Sequence, residues 1–373
     1  IQTVNILMAK MALKFLVLKN LPKLTLNSGG NVDYRLKENR REGFIRWFAW
    51  SLKYGDCDPA VWLTNYLNRR YEHNTEQKLW FCWLYGNTYN LPTAWVLLNE
   101  FPDFELATVD RMEQWNTANY SRLRYQVDTK WNKGHLPVMF ASYQKFIGDM
   151  SQQDKFESLY RGSQTDNFDN IWETTKSSLH KFGRYSTWFY LQHLKQTADI
   201  KIDPTSLMLN DYSGSRSHRN GLLYALGRDE QVNKKLNSKE YEQLEIESQL
   251  ILAETKQRFP ELTSDVDYFN METCLCSYTK IFRETHSRYL GYYLDRQAGE
   301  IHKAQGDEWY GIEWDVIWQS RTETIDARLD KRFYEQNNKQ DEKYFLTSFH
   351  KEGKLIRMEW MFDDAGPNTV YVD

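Results

Sequence analysis

The chain has 373 residues, of which 41% are hydrophobic and 27% charged. This length and balance exclude a disulfide-stabilised miniprotein and a disordered chain, and they predict a large hydrophobic core in one or two domains. The net charge is −3, so any polyanion site must be local. Aromatic residues reach 15%, which suits either an aromatic core or many stacking surfaces.

Helix signals begin after an N-terminal segment, residues 1–40, in which Met8 and Met11 are both candidate start residues. Within the N-terminal helical region, residues 41–147, Asp58 and Pro59 form a cap and first-turn pair, and Asn90 precedes another helix. Residues 79–89 are apolar nearly all round, which is typical of a buried helix.

The second half of the chain opens with a polar stretch, residues 148–170, which favours a loop or a domain boundary. A second helical region, residues 168–300, follows. Within it, Ser215 or Ser217 caps a short helix, and Ser264 and Asp265 cap a longer one that runs through Phe282. The C-terminal region, residues 301–373, is predicted to hold a helix and a hairpin of residues 344–350 and 355–362. The predicted fold class is therefore mainly α, a multi-helical globular enzyme with a small C-terminal β-hairpin.

Several chemistries lose support because their motifs are absent. The sequence contains no P-loop, no G-x-G-x-x-G after a strand, no H-E-x-x-H and no G-x-S-x-G. The histidines lack metal-ligand spacing, and the four cysteines are too few for a disulfide framework, which favours a reducing cytoplasm. The apolar run of residues 11–18 is far shorter than the roughly 20 residues needed to span a bilayer. We expect no metal site, no membrane partner and no required cofactor, with Mg²⁺ as an option.

A Gly/Ser loop feeds a helix start within residues 211–227 (DYSGSRSHRNGLLYALG). Unpaired backbone N–H groups and the helix dipole favour an anion at such a start, where Arg216, His218 and Arg219 lie. This pattern predicts a phosphate cradle. An ordinary capped surface helix with solvated basic residues explains it equally well.

Basic charge is concentrated between residues 176 and 235 although the whole chain is acidic. Residues 176–201 hold five basic residues against one acid, interleaved with Trp188, Phe189 and Tyr190. Such a mixture is typical of surfaces that bind nucleic acid. Taken singly, each aromatic residue is better explained as part of a helical core.

A third candidate cluster lies on the helix that follows Asp265. At 100° per residue, Glu272, Cys276 and Arg283 share one face and Cys274 points away from it. Glu272 is then a candidate general base, Arg283 an anion partner and Cys276 a thiol beside a cation. The alternative is a surface face of Glu and Arg with both cysteines directed inward.

Three blocks of sequence together resemble a known family. They are residues 79–95 (LWFCWLYGNTYNLPTAW) with 99–102 (NEFP), residues 183–192 (GRYSTWFYLQ) with 219–227 (RNGLLYALG), and residues 272–280 (ETCLCSYTK). The chain resembles the amino acid:DNA transferases, also called α-glutamyl/putrescinyl thymine pyrophosphorylases, of bacteriophages with hypermodified thymine. Their helical domain is shared with 5-hydroxymethyluracil DNA kinases, and the resemblance covers roughly residues 40–300.

The resemblance implies a transferase that displaces pyrophosphate from 5-(pyrophosphoryloxymethyl)deoxyuridine in DNA with an amino acid or polyamine. A 5-hydroxymethyluracil DNA kinase would supply the activated base, and the reaction would take place in the cytoplasm of the infected bacterial host. The catalytic candidates are Asp211, Glu272 and Cys276. The candidates for binding pyrophosphate are Arg216, His218, Arg219, Lys181, Arg184, Lys280 and Arg283. The candidates for binding the base or DNA are Tyr85, Asn87, Tyr89, Trp188 and Tyr190.

Two chemical routes and two other functions stay open. Pyrophosphate leaves first to give a methide-like electrophile, or a Cys276 thiolate first adds at C6 of the base. We favour the first route because the sequence shows no base paired with Cys276. The alternative functions are a non-catalytic DNA-binding or scaffold protein and a related hydrolase or glycosylase that acts on modified thymine.

Overall fold

The computed structural model describes residues 24–26, 32–126, 129–211, 216–283, 290–326, 329 and 348–355, and these residues are mainly helical, as predicted. The helices of the first half are α1 (Lys37–Tyr54), α2 (Pro59–Arg70), α3 (Thr75–Thr88), α4 (Leu91–Glu100), α5 (Val109–Asn119), α6 (Leu136–Ile147) and α7 (Gln152–Ser158). Those of the second half are α8 (Gln164–Ser178), α9 (Arg184–Ala198), α10 (Ser217–Ala225), α11 (Ser238–Arg258), α12 (Tyr268–Tyr278), α13 (Tyr292–Gln305) and α14 (Trp314–Thr324). In the part of the chain that these ranges cover, no helix is long and apolar enough to cross a membrane.

The predicted helix starts at Asp58 and Asn90 are confirmed. The Asp58 carboxylate accepts a hydrogen bond from the Ala60 N–H at 3.3 Å, and the Asn90 side chain accepts one from the Thr93 N–H at 3.1 Å. Both helices carry proline in the first turn, where a missing N–H costs nothing. These caps fix where α2 and α4 begin.

The interpretation of residues 148–170 as a loop or boundary is wrong in part. Ser151 caps α7 and Ser163 caps α8, each by accepting a hydrogen bond from a backbone N–H. Phe156 and Phe168 are fully buried, so these polar helices contribute one apolar face to the core. The density of charge reflects the solvated face of the two helices.

The predicted C-terminal hairpin is not supported. Ser348–Glu352 forms a single π-helical turn, and the remaining residues of both predicted strands lie outside the described residues except for Leu355 at the start of the second. The Arg35 guanidinium donates to the carbonyl oxygens of His350 at 3.0 Å and Lys351 at 2.6 Å. These two carbonyl groups therefore bind a side chain. Within the described ranges the only β pairing is an isolated bridge.

One hydrophobic cluster includes residues from Tyr34 to Leu355, so the three predicted regions after residue 40 contribute to the same core. Aromatic side chains fill much of it. Trp80 and Trp83 stack with ring centroids 5.0 Å apart, and Trp188 packs edge-on against Phe269 at 5.1 Å. The aromatic excess therefore serves largely to pack helices together.

A close helix crossing joins α10 and α12 at Gly221. A Cβ atom at this position would lie 2.0 Å from the carbonyl oxygen of Leu275, which is far inside van der Waals contact. Only glycine lets the two backbones approach to this distance. The crossing holds the middle of α10 against the second half of α12.

We therefore predict that Gly221→Ala lowers the free energy of unfolding by about 3 kcal/mol, because the added methyl group forces the helices apart. Urea unfolding followed by circular dichroism measures the change. Gly299→Ala in α13 is the matched control, since its added Cβ meets nothing within 4 Å. That control should gain about 0.5–1 kcal/mol from the better helix propensity of alanine. Equal effects of the two substitutions would contradict the steric explanation.

Candidate active site

A buried cluster of charged side chains lies where α9, α10 and α12 meet. Arg184, the first residue of α9, donates from Nη1 to Glu272 Oε1 on α12 at 2.8 Å and from Nη2 to the Leu207 carbonyl oxygen at 3.0 Å. His218 Nδ1 of α10 lies 3.4 Å from the same Glu272 oxygen. Arg184, His218 and Glu272 are at most 3% exposed. Residues predicted from three separate segments thus converge.

Burial governs the charge states in this cluster. It raises the pKa of Glu272, and the Arg184 guanidinium opposes that rise. Burial also holds the pKa of His218 well below its usual range, and the positive charges of Arg184 and Arg219 lower it further. His218 is therefore neutral, and its contact with Glu272 is not an ion pair. Glu272 Oε2 is buried and has no hydrogen-bond partner in the part of the chain that the structure describes.

The residues predicted to bind phosphate divide into a buried and an accessible group. Arg184, His218 and Arg219 point into the core, where Arg219 Nη1 donates to the Tyr241 hydroxyl at 2.7 Å. These three side chains are buried, and their role in binding pyrophosphate stays a prediction. The remaining candidates are exposed or half-buried: Lys181, Arg216, Lys280 and Arg283.

One further observation concerns Asp211, and another corrects the helix geometry predicted for Arg283. Asp211 already has a cationic partner, because it forms an ion pair with Lys176 of α8. Arg283 does not share a helical face with Glu272, since α12 ends at Tyr278 and a 3₁₀ turn, Thr279–Phe282, follows it. The rotation of 100° per residue applies only within a regular α-helix, so it does not give the direction of Arg283 beyond Tyr278.

The aromatic residues predicted to stack on DNA lie inside the protein. Trp188 and Tyr190 have no exposed surface, and the Tyr190 hydroxyl donates to that of Tyr143 at 3.5 Å. They are core residues of α9, so the DNA surface does not include them in this conformation. Asn87 is also fully buried.

The two cysteines of α12 have different surroundings. Cys276 Sγ lies 3.0 Å from the hydroxyl of Tyr293 on α13. Cys274 Sγ lies 3.0 Å from Cys57 Sγ and 3.2 Å from the Ser51 hydroxyl, inside the core. Cys276 is therefore the more accessible thiol, and its described partner is a phenol whose pKa is raised well above the usual value by burial.

Tyr85 and Tyr89 line a small polar cavity together with Thr273 of α12. It has a volume of about 10 Å³, room for roughly one water. The Arg296 guanidinium lies 4.9 Å from the ring centre of Tyr293 and 5.5 Å from that of Tyr89, and Arg296 Nε is 3.1 Å from Glu300 Oε1. The cavity thus combines a cation, a carboxylate and phenol rings.

Asp58 forms part of the wall of this cavity and was recognised in the sequence only as a helix cap. Its Oδ2 atom and Thr273 Oγ1 are buried without hydrogen-bond partners among the described residues, and both residues line the cavity. Asp58 also lines a larger cleft of about 490 Å³ together with Lys195, Gln196, Asp267 and Asn270. The signal in the sequence was the pair of Asp58 and Pro59 at the start of a helix.

No group of three or more His, Cys, Asp or Glu side chains within the described ranges could hold a metal ion. The comparisons with known proteins identify the family. A family model described as amino acid:DNA transferase matches residues 52–286. The chain belongs to the amino acid:DNA transferase family. It is an amino acid:DNA transferase by family, and the matched residues include Asp58, Arg184, His218 and Glu272 but end before Arg296.

A curated relative supports the same assignment. This transferase is 28% identical over 316 residues to a protein of Salmonella phage ViI named "Serinyltransferase". The aligned residues cover 78% of this chain and 75% of the relative. No solved structure matches the chain.

The titration of Asp58 provides a test of its surroundings. Burial raises the pKa of Asp58 to about 6, although the Ala60 N–H and Arg296 oppose the rise and the Glu272 charge adds to it. The folded transferase then holds a proton that the unfolded chain releases near pH 4, so stability is lost as pH rises from about 4 to 6. We predict that wild type loses about 3 kcal/mol relative to Asp58→Asn over this range.

Urea unfolding of both proteins between pH 4 and 7 measures this difference. Asn is as good a helix cap as Asp, so the variant keeps the start of α2 and removes only the titrating group. Parallel stability profiles for wild type and the variant would show that Asp58 titrates normally.

Proposed function

We propose that this transferase displaces pyrophosphate from 5-(pyrophosphoryloxymethyl)deoxyuridine in DNA and attaches an amino acid in its place. Membership of the family carries the proposal, because amino acid and DNA are the two substrates that the family is named for. The name of the phage ViI relative makes serine the first amino acid to test. A polyamine such as putrescine is the alternative nucleophile.

The proposal places the enzyme within a short reaction sequence in the infected bacterial cell. An exocyclic hydroxymethyl group is a poor electrophile because hydroxide is a poor leaving group. A kinase that acts on 5-hydroxymethyluracil in DNA would convert it to the pyrophosphate ester. The relative encoded by a phage supports an infected host as the setting.

Stabilising the leaving pyrophosphate calls for cations near the surface, where DNA can approach. Arg216 is exposed and is the cap residue of α10, whose first backbone N–H groups carry the positive end of the helix dipole. Lys181 and Arg283 are exposed as well, and Lys280 is half-buried. We assign pyrophosphate binding to these four residues. Mg²⁺ could assist this step without being required by it.

The reaction needs a bond broken, a bond made and a proton removed. The bond between the exocyclic carbon and the pyrophosphate oxygen breaks, and pyrophosphate leaves with the electron pair. A lone pair of the amino acid's amine or hydroxyl group then forms the new bond to carbon. A carboxylate accepts the proton that this atom loses.

Glu272 is a better candidate for that carboxylate than Asp211. One Glu272 oxygen is held by Arg184, and the other has no hydrogen-bond partner among the described residues, whereas Asp211 is paired with Lys176. The pKa of Glu272 is raised by burial, which makes the carboxylate a stronger base. Arg184 and His218 then act as positioning residues.

Transfer can be tested directly. DNA that carries the pyrophosphorylated base is incubated with the enzyme and with serine, glycine, glutamate or putrescine, and the digested nucleosides are analysed by mass spectrometry. We expect one co-substrate to give a new nucleoside and one pyrophosphate for each base modified.

Three other outcomes would each contradict the proposal. Hydroxymethyluracil as the sole product would indicate a hydrolase, and abasic sites would indicate a glycosylase. Unchanged DNA, bound with equal affinity whatever group occupies the thymine 5-position, would indicate a DNA-binding or scaffold protein.

A cysteine substitution separates the two chemical routes. We predict that Cys276→Ala retains activity within about tenfold of wild type, because removal of a true covalent nucleophile costs several orders of magnitude. Single-turnover rates with the pyrophosphorylated DNA provide the measurement. A loss of more than a thousandfold in a variant that unfolds at the wild-type urea concentration would instead support thiolate addition at C6.

A further inference from the structure

The cleft beside the start of α2 contains two buried acceptor oxygens that the described structure leaves without hydrogen bonds. They are Asp58 Oδ2 and Gln196 Oε1, and both residues line the same cleft of about 490 Å³. Buried polar atoms are almost always satisfied, so these two acceptors call for a hydrogen-bond donor, which water or a ligand can supply.

The position of Asp58 is fixed by the fold. The residue is 5% exposed, and its Oδ1 atom accepts a hydrogen bond from the Ala60 N–H at the first turn of α2. Because this cap holds the carboxylate in one orientation, Oδ2 remains the oxygen that can accept from a ligand. Arg296, the nearby cation of the small cavity, is paired with Glu300.

The orientation of the Gln196 amide follows from a chain of hydrogen bonds. Asn270 Nδ2 donates to the Asp265 carbonyl oxygen at 2.7 Å, so Asn270 Oδ1 must be an acceptor. Gln196 Nε2 donates to that Oδ1 atom at 3.0 Å, which leaves Gln196 Oε1 as the free acceptor. Flipping the Gln196 amide would set two acceptor oxygens against each other, and flipping the Asn270 amide would set two NH₂ donors against each other.

The charges of the cleft favour a cation over a phosphate group. The Lys195 ammonium is bonded to the carboxylates of Asp203 at 2.7 Å and Asp267 at 2.8 Å, so its charge is already compensated. Arg69 is exposed near the far end of α2, about 16 Å from Asp58 at 1.5 Å per residue. Asp58 is therefore the buried carboxylate of this cleft that has an oxygen to spare, and the exposed carboxylate of Asp265 adds a further negative charge to the lining.

We propose that this cleft binds the ammonium group of the transferase's co-substrate, with Asp58 Oδ2 and Gln196 Oε1 as its acceptors. An ammonium group has three N–H donors and a positive charge, which matches a carboxylate oxygen and an amide oxygen. The volume is of the size that holds small molecules, roughly 300–1,000 Å³. The assignment of this ligand as a co-substrate rests on the proposed function; its binding chemistry does not.

The inference concerns binding and not the chemical step. When a hydroxyl oxygen attacks the activated base, the ammonium group stays anchored. When the nitrogen itself attacks, it must first give up a proton to a carboxylate, because an ammonium nitrogen has no lone pair. No covalent bond forms or breaks at Asp58, which is a substrate-binding residue in this proposal.

Ligands that differ in one group test this assignment by calorimetric titration. Serine carries an ammonium and a carboxylate group, ethanolamine keeps the ammonium and lacks the carboxylate, and glycerate keeps the carboxylate and has a hydroxyl in place of the ammonium. Asp58→Asn places an NH₂ donor where Oδ2 accepted. We expect serine and ethanolamine to bind this variant about 10- to 100-fold more weakly than wild type, and glycerate within threefold.

The matched control is Asp199→Asn. Asp199 is the exposed residue that ends α9, and its backbone has a φ of 58°, a conformation that Asn also tolerates. This substitution removes the same charge from the surface, so serine and ethanolamine should bind within threefold of wild type. In the transfer assay, Asp58→Asn should raise KM for the amino acid and leave KM for DNA unchanged.

Two results would overturn the inference. One is that wild type does not bind ethanolamine, and the other is that Asp58→Asn weakens ethanolamine and glycerate equally or not at all. A new nucleoside in the transfer assay with unchanged ethanolamine affinity in Asp58→Asn rejects the ammonium site and keeps the proposed function. Ethanolamine binding that depends on Asp58, without transfer of any co-substrate, supports the ammonium site and rejects the function.

Discussion

The buried ion pair between Arg184 and Glu272 is the constraint on which the arrangement of the central helices depends. Taking two ions out of water costs several kcal/mol for each, and only close geometry with further hydrogen bonds offsets that cost. The Leu207 carbonyl oxygen supplies one such bond to Arg184. Neutral His218 lies beside the pair without adding a charge. Losing either partner would leave a buried charge uncompensated, so α9 and α12 are held in one relative position.

Because α12 is held in one position, neighbouring side chains on it face different polar features of the protein. Glu272 faces the charged cluster, Thr273 lines the cavity with Arg296, and Asn270 lines the cleft with Gln196. Gly221 lets α10 approach the same helix so closely that no side chain fits between the backbones. This helix of eleven residues therefore contributes to the charged cluster, to the small cavity and to the larger cleft. A shift of α12 would alter all of them together.

Features that depend on neighbouring residues, such as helix caps, were predicted well from the sequence. Contacts between residues that are distant in sequence were predicted only in part. Asp58 was read correctly as a cap because capping depends on neighbouring residues, but its second role depends on Gln196 and Asn270, which are distant in sequence. Arg184, His218 and Glu272 were selected for their charge and do converge, although they face inward. Charge near Trp188 could not show which face of α9 is buried. Arg283 was misplaced because the helix was extended past its true end at Tyr278.

The separation of charge explains how an acidic chain can act on DNA. Asp58 and the acceptor oxygen of Gln196 repel phosphate oxygens, so DNA and pyrophosphate must be held elsewhere, and the exposed Arg216 and Arg283 are suited to that role. An ammonium ion has the opposite preference and is drawn to the cleft. The two substrates would then bind at separate places, because the acidic cleft repels DNA and pyrophosphate and the arginine residues repel an ammonium ion. A net charge of −3 is compatible with this arrangement, since only local fields decide where each substrate binds.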